Sequence, residues 1–322
     1  MSPYPPFPVL AYFAPHTRGL RWHRAPDGFS GAVVWCGGEN DTARVALKAW
    51  PAGTRPERVR QVHTWLSLAA HLPFVPGALA GGDGHTLVTE ADRVWDCCRW
   101  MPGRPCSAPT AAEVAAACAA VAQLHATWAA TSRLGPCPGV QNRLRILTET
   151  EPILRAGPDA LPPVSPDLDP VLRHALAAAA RAAPGAVRAL RPWEHRAVVL
   201  QPCVRDLRAD HVLFEGGRVG GIIDYGAAGA DHPAVDLARL LSDYAGPDDA
   251  LFGAGLAVYR GVNPTFEATT EFAQLLARTG AVCSVLGWLV RLVLRREAVP
   301  APRATAARIA ALLARVGPIP HV

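Results

Sequence analysis

Lysine is nearly absent from this 322-residue chain: of 32 basic residues, one, Lys48, is lysine and the rest are arginine. Asparagine is almost as scarce, occurring at Asn40, Asn142 and Asn263. Charged residues make up only 18% of the chain, and the formal net charge of +5 comes without a dense arginine run, so nucleic acid is not the expected partner. No C-x-x-C pair and no Cys/His cluster of zinc spacing occurs among the eight cysteines, Cys36, Cys97, Cys98, Cys106, Cys118, Cys137, Cys203 and Cys283. A chain of this length buries a core without covalent staples, so these thiols are expected to be reduced and mostly buried. The apolar N-terminus is broken by proline and lacks a basic n-region, which argues against a signal peptide. The longest apolar run, residues 281–290, stops at Arg291, too short for a bilayer. A cytoplasmic protein with no membrane partner is expected.

What is present reads as a globular chain. Half the residues are hydrophobic, and the 31 prolines and 28 glycines follow no G-x-y period, which excludes disorder and collagen. The length suggests two domains or lobes. Up to residue 103 the pattern predicts strands and turns around one short helix at residues 56–71, where Val59, Val62, Leu66 and Ala70 recur at helical spacing. A hairpin is expected between residues 32–36 and 44–50, with Gly37, Gly38, Glu39, Asn40 and Asp41 as its turn. Met101-Pro102-Gly103 breaks the pattern. Beyond it the chain turns mostly helical, with Thr110 as a helix cap, a helix over residues 170–183, and short strands at 197–200, 212–214 and 219–223.

Four stretches carry candidate chemistry. Lys48 ends Val45-Ala46-Leu47-Lys48 on an alternating strand. Where arginine has replaced nearly every other lysine, the one retained is expected where a compact point charge fits and a planar guanidinium fork does not, as on phosphate oxygens. Between two apolar strands lies Val204-Arg205-Asp206-Leu207-Arg208-Ala209-Asp210-His211, in which Asp206 is suited to take a hydroxyl proton and His211 or Asp210 to touch a metal. Ile222-Ile223-Asp224-Tyr225-Gly226 presents a carboxylate at a strand end before a glycine turn, an arrangement suited to a metal. Asp236, in Val235-Asp236-Leu237-Ala238, is read as a structural residue that caps or orients a helix start.

In order and approximate spacing these motifs, together with Gln123-Leu124-His125, resemble the aminoglycoside phosphotransferase-like family, which is similar in fold to the protein kinases. The likeness runs from about residue 28 to residue 241. It implies an α+β, bilobal protein-kinase-like fold: residues 1–103 a small β-rich N-lobe that binds nucleotide, residues 104–322 a larger, mostly helical C-lobe with the catalytic loop and substrate region. It implies ATP and Mg²⁺ (Mn²⁺ as an alternative) in the cleft. Lys48 would hold α/β-phosphates, with Gly28, Ser30 and Gly31 as the glycine loop and Arg99, Trp100 and Met101 in the hinge beside adenine. Asp206 would be the catalytic base, and Asp224 and His211 the metal ligands.

The chain departs from the family loop H-G-D-x-x-x-x-N. Val204 and Arg205 replace His and Gly, and His211 stands at the Asn position, offering an imidazole where Mg²⁺ prefers a hard oxygen such as Asp210 could supply. The helix after Lys48 offers no acid later than Glu57 as a partner for the lysine. Two functions follow. One is ATP-dependent transfer of the γ-phosphate to a hydroxyl of a small-molecule acceptor; the other is a nucleotide-binding, pseudokinase-like regulator or scaffold without transfer. Polyanion binding through Arg291, Arg295, Arg296, Arg303 and Arg308 is a third reading, set against the ordinary solvation of helix-surface arginines. The acceptor has no readable pattern in Trp193, Glu194, Asp243, Tyr244, Asp248 and Asp249.

Overall fold

Two helical turns, α1 (Phe7–Tyr12) and α2 (Ala14–Thr17), form where the sequence suggested only a proline-broken stretch. Pro8 and Pro15 each sit in a first turn, where no intrahelical N–H is lost, so each starts a helix instead of breaking one. A computed structural model of the protein describes residues 4–26, 30–39, 42–246, 248–299 and 301–317. The chain continues through β1 (Arg21–Arg24), β2 (Val33–Glu39), β3 (Thr42–Ala49), α3 (Pro56–Leu68), β4 (Leu87–Glu90), β5 (Arg93–Arg99) and β6 (Arg104–Pro105). Next come α4 (Ala111–Trp128), β7 (Arg133–Pro136), α5 (Pro138–Ala156), α6 (Asp169–Leu190), β8 (Ala197–Cys203), β9 (Val212–Glu215), β10 (Arg218–Ile222) and β11 (Gly229–Asp231). Helices α7 (Ala234–Ala245), α8 (Asp249–Val262), α9 (Thr270–Leu289) and α10 (Pro302–Leu313) end the described chain. The architecture is mixed α+β, with the long sheet early and the long helices late.

Contacts group the chain into two compact units, each discontinuous in sequence: Met1–Cys106 with Asp210–Ala228, and Ser107–Ala209 with Gly229–Val322. In the first, five antiparallel strands run in the order β1-β2-β3-β5-β4. Alternation decides its faces. Val45, Leu47 and Ala49 of β3 are buried against Val9, Phe13 and the stacked rings of Trp35 and Trp95, 5.3 Å apart, which sends Lys48 to the opposite face. The expected hairpin turn differs in detail: Gly37 and Gly38 lie inside β2, at a bulge opposite Val45 and Ala43, while Asn40 and Asp41 fall outside the described residues. A smaller sheet, β10-β9-β6, completes this unit.

In the second unit the sheet β11-β8-β7 accompanies the helices. Thr110 caps α4 through a full capping box with Glu113. Helix α6 passes through Pro184, where the pattern predicted its end, and runs to Leu190. Leu172, Leu176, Ala179, Ala183, Ala186 and Leu190 form one buried face, and that burial outweighs the single hydrogen bond a proline forfeits. Helix α5 escaped the sequence reading; Val140, Leu144 and Leu147 bury its inner face despite Pro152. Two segments, Ala111–Thr131 and Thr270–Leu294, are long and apolar enough to cross a bilayer, and they are 50% and 67% buried inside the fold, as core helices are. The eight cysteines are unpaired, and five are buried. Burial pushes the Cys118 thiol up to about 12, leaving it protonated and inert at neutral pH.

Gly103 turns the chain after β5 with φ +98, and a Cβ there would stand 2.6 Å from the Phe214 carbonyl oxygen. Gly103→Ala should therefore lower stability by about 1–3 kcal/mol in urea denaturation, from strain and a forced shift of β9.

Candidate functional site

In the first unit, Lys48 Nζ lies 3.1 Å from Asp224 Oδ1 and 4.7 Å from the centroid of the Trp50 ring. Asp224 adopts φ +60, a left-handed conformation that aspartate tolerates better than most residues, and its Oδ1 also accepts from the Gly226 N–H at 3.3 Å. A Cβ on Gly226 would stand 3.1 Å from that oxygen and 3.4 Å from Lys48 Nζ, so glycine lets the chain fold tightly over the ion pair. Burial acts to raise the Asp224 carboxyl, but the Lys48 ammonium, the His211 imidazole and the hydrogen bonds outweigh it. The group is held below its ordinary value and is ionised at neutral pH. His211 is buried, its Nε2 3.8 Å from Asp224 Oδ2 and 4.0 Å from Asp210 Oδ1.

Helix α3 does not hand Lys48 an acid. Glu57 pairs with Arg60 at 3.1 Å on the exposed side. The helix instead sends Arg58 to the carbonyls of Gly226 (3.1 Å) and Ala228, fixing the turn after Asp224. It also sends His63 to Asp96, the cross-strand partner of Lys48. Buried Asp96 accepts from Trp50 Nε1 and His63 Nε2, each at 2.9 Å, and His63 Nδ1 meets Thr86 Oγ1 at 2.7 Å. Sequence reading missed this network. Its signal was an acid in the middle of an apolar strand, which survives there only with partners.

Lys48, Trp50, Asp96, His211 and Asp224 border a cavity of about 360 Å³. Of the predicted nucleotide and metal residues, Ser30, Lys48, Arg99, Trp100, Met101, His211 and Asp224 line it, with Val34, Ala46, Leu213 and Ile223 as apolar walls. Gly31 adjoins Ser30 with φ +76, while Gly28 lies outside the described residues. An apolar slot ending in one ammonium, one ionised carboxylate and one imidazole is chemically able to take a flat ring and an anion with its counter-cation.

Asp206 belongs to the second unit. The residue that governs it is Asp236, which has no exposed surface. Asp236 does not cap α7, whose N-cap is Pro233. Its Oδ2 accepts from the Val204 N–H and its Oδ1 from the Arg205 N–H, both at 2.6 Å, and His125 Nε2 approaches at 3.1 Å. A carboxylate only accepts, so Nε2 carries the histidine proton and Nδ1 receives the Tyr259 hydroxyl at 2.8 Å. Burial keeps that hydroxyl protonated. The clamp forces Arg205 to φ +68, which costs an L-residue with a Cβ about 1 kcal/mol. It buries Leu207 and leaves the Asp206 side chain 47% exposed, 3.8 Å from Arg239 Nε and 3.9 Å from Arg208 Nη1. Asp206 lines a separate cavity of about 250 Å³ within its own unit.

A β-rich unit with a strand lysine facing a strand-end carboxylate, and a helical unit with a clamped aspartate loop, define the protein-kinase-like class. The chain belongs to the phosphotransferase enzyme family, which it matches over residues 21–276. It is a phosphotransferase by that membership. Among solved structures it resembles the aminoglycoside phosphotransferase of Alicyclobacillus acidocaldarius, with 18% identity and a TM-score of 0.57 over 98% of this chain and 93% of that one. The amicoumacin kinase hAmiN, in complex with AMP-PNP, Ca²⁺ and Ami, aligns at 12% identity and a TM-score of 0.60 over 97% and 92%. Spectinomycin phosphotransferase with ADP and spectinomycin gives 12% and 0.60 over 89% and 87%. At such identities the likeness carries the fold. Among curated proteins no sequence match was found.

Asp236→Ala would strand two buried N–H groups and His125 Nε2. It should cost about 3–5 kcal/mol in urea denaturation, whereas the half-exposed Asp206→Asn should change stability by less than about 0.5 kcal/mol.

Proposed function

We propose that the protein transfers the γ-phosphate of ATP to a hydroxyl of a small molecule. The observation that supports this most directly is the Lys48–Asp224 pair at 3.1 Å inside an apolar-walled cavity, in a chain of the phosphotransferase family. The unit formed by Met1–Cys106 and Asp210–Ala228 is read as the nucleotide unit and the other as the acceptor unit. Adenine would lie against Val34, Ala46, Met101 and Leu213, and Lys48 would meet phosphate oxygens as a point charge.

Asp224 offers hard oxygens that fit a divalent cation, which would neutralise phosphate charge when bound. His211 would stand beside it as a nitrogen donor, which suits Mn²⁺ better than Mg²⁺. In the acceptor unit Asp206 would orient the hydroxyl. The acceptor oxygen bonds to the γ-phosphorus, the bond from that phosphorus to the β–γ bridging oxygen breaks, ADP leaves, and the hydroxyl proton passes to Asp206. Positioning and charge neutralisation supply most of the catalysis.

Three variants test the reading. At AMP-PNP a hundredfold above Kd the wild type should gain about 2.7 kcal/mol of stability. Lys48→Met and Asp224→Asn should lose most of that gain. Asp206→Asn should keep it, yet lose at least about a hundredfold in ATP-dependent phosphate transfer across a metabolite panel. Unchanged transfer in Asp206→Asn sinks the assignment. AMP-PNP binding without transfer to any acceptor would instead favour a silent nucleotide-binding regulator.

A further inference from the structure

The cavity beside Asp206 is lined by cations: Arg143 from α5, Arg205 from the loop after β8, and Arg239 from α7, against the carboxylates Asp206 and Asp231. Asp231 is already engaged. It is buried, and its Oδ1 accepts from the Gly139 N–H at 3.0 Å, the His232 N–H at 2.9 Å and the Cys137 thiol at 3.3 Å, while its Oδ2 faces Arg205 Nε at 3.4 Å. Arg239 stands between Asp206 (3.8 Å) and Asp243 (3.6 Å). Arg143 differs from both other arginines. Its guanidinium donates to the carbonyls of Gly139 (2.8 Å) and Leu276 (3.1 Å), its Nε is buried with no hydrogen-bond partner, and among the described residues it pairs with no carboxylate. A half-buried guanidinium without a counter-charge is an unfavourable resting state that an incoming anion relieves.

The backbone makes room for these cations. A Cβ on Gly280 would stand 3.1 Å from Arg143 Nη2, and one on Gly229 would stand 2.8 Å from Arg205 Nη1, so α9 and β11 present bare backbone where the guanidiniums lie. Arg205 itself holds φ +68, a conformation that glycine adopts without strain. A long cationic side chain kept at a strained position beside the half-exposed Asp206 points to a use for its guanidinium.

We propose that the acceptor is an anion: a hydroxylated small molecule whose carboxylate or phosphate is taken by Arg143 and Arg205 while its hydroxyl meets Asp206. This rests on the reading that the Asp206 cavity receives the acceptor. Bidentate guanidinium forks match both anionic groups, and a cationic acceptor would meet like charge.

Glucose, glucosamine, D-glucuronate and glucose 6-phosphate share one carbon frame and differ in charge. Titrated calorimetrically against the full chain at constant ionic strength and without nucleotide, glucuronate or glucose 6-phosphate should bind at least about tenfold more tightly than the other two. Which of the two leads tells carboxylate from phosphate. Arg205→Gly places glycine where the backbone suits it and should lose that preference, Arg205→Lys should keep part of it, and Arg143→Gln should lose it independently. Urea denaturation with the wild-type slope verifies that each variant is folded. Charge-indifferent binding, a preference for glucosamine, no binding by any of the four, or an anion preference intact in both Arg205→Gly and Arg143→Gln would overturn the proposal. A wild type that selects the anions but ignores AMP-PNP would count against the nucleotide reading alone. One that binds AMP-PNP but not the anions would count against this proposal alone.

Discussion

Asp236 is a carboxylate sealed from water, and the geometry of the loop in front of it follows from how that charge is satisfied. Two consecutive backbone N–H groups, from Val204 and Arg205, and the imidazole of His125 converge on its two oxygens. A buried charge is tolerable only with its acceptor positions filled, so the loop cannot drift without exposing an unpaired carboxylate to a low-dielectric interior. The two amides fix the peptide planes on both sides of Val204, and the chain leaves them in a left-handed turn at Arg205. Asp206 follows, half-exposed, on a loop held by those two hydrogen bonds.

The first unit meets a similar demand by a different route. Asp224 is itself the left-handed residue; its carboxylate is stabilised by Lys48, and Arg58 fastens the following carbonyls. In both units a candidate carboxylate sits at or next to a residue with positive φ, where the surrounding hydrogen bonds over-determine the backbone. The glycine that the turn requires is two residues beyond Asp224. The loop carrying Asp206 has no glycine at its left-handed position, and Arg205 occupies it.

The two cavities differ in electrostatics because the chain's one lysine lines the first and arginines line the second. The first keeps a single compact ammonium, held between a carboxylate and an indole ring. The second is furnished with guanidiniums, which present several fixed donors each and resist deprotonation at any physiological pH. One offers a compact point charge, the other planar forks with several fixed donors.

Sequence alone determined the strand that carries Lys48, the strand-end Asp224 and its glycine, the capped helix at Thr110, and the change from β-rich to helical composition, because each depends on periodicity or on local turn chemistry. It also pointed to the family, because the order of short motifs survives where overall identity does not. It missed α5 and the end of α6, since Pro152 and Pro184 are local stop signals that only burial of a long apolar face can override. It could not tell that Glu57 turns to Arg60, that Asp96 gathers Trp50 and His63, or that Asp236 clamps a loop 31 residues upstream. Apart from Glu57–Arg60, a local and exposed pair, those pairings join residues distant in sequence, and tertiary packing decided them: a buried polar group takes whichever partner the fold brings within hydrogen-bond reach, and no local pattern records which one that is.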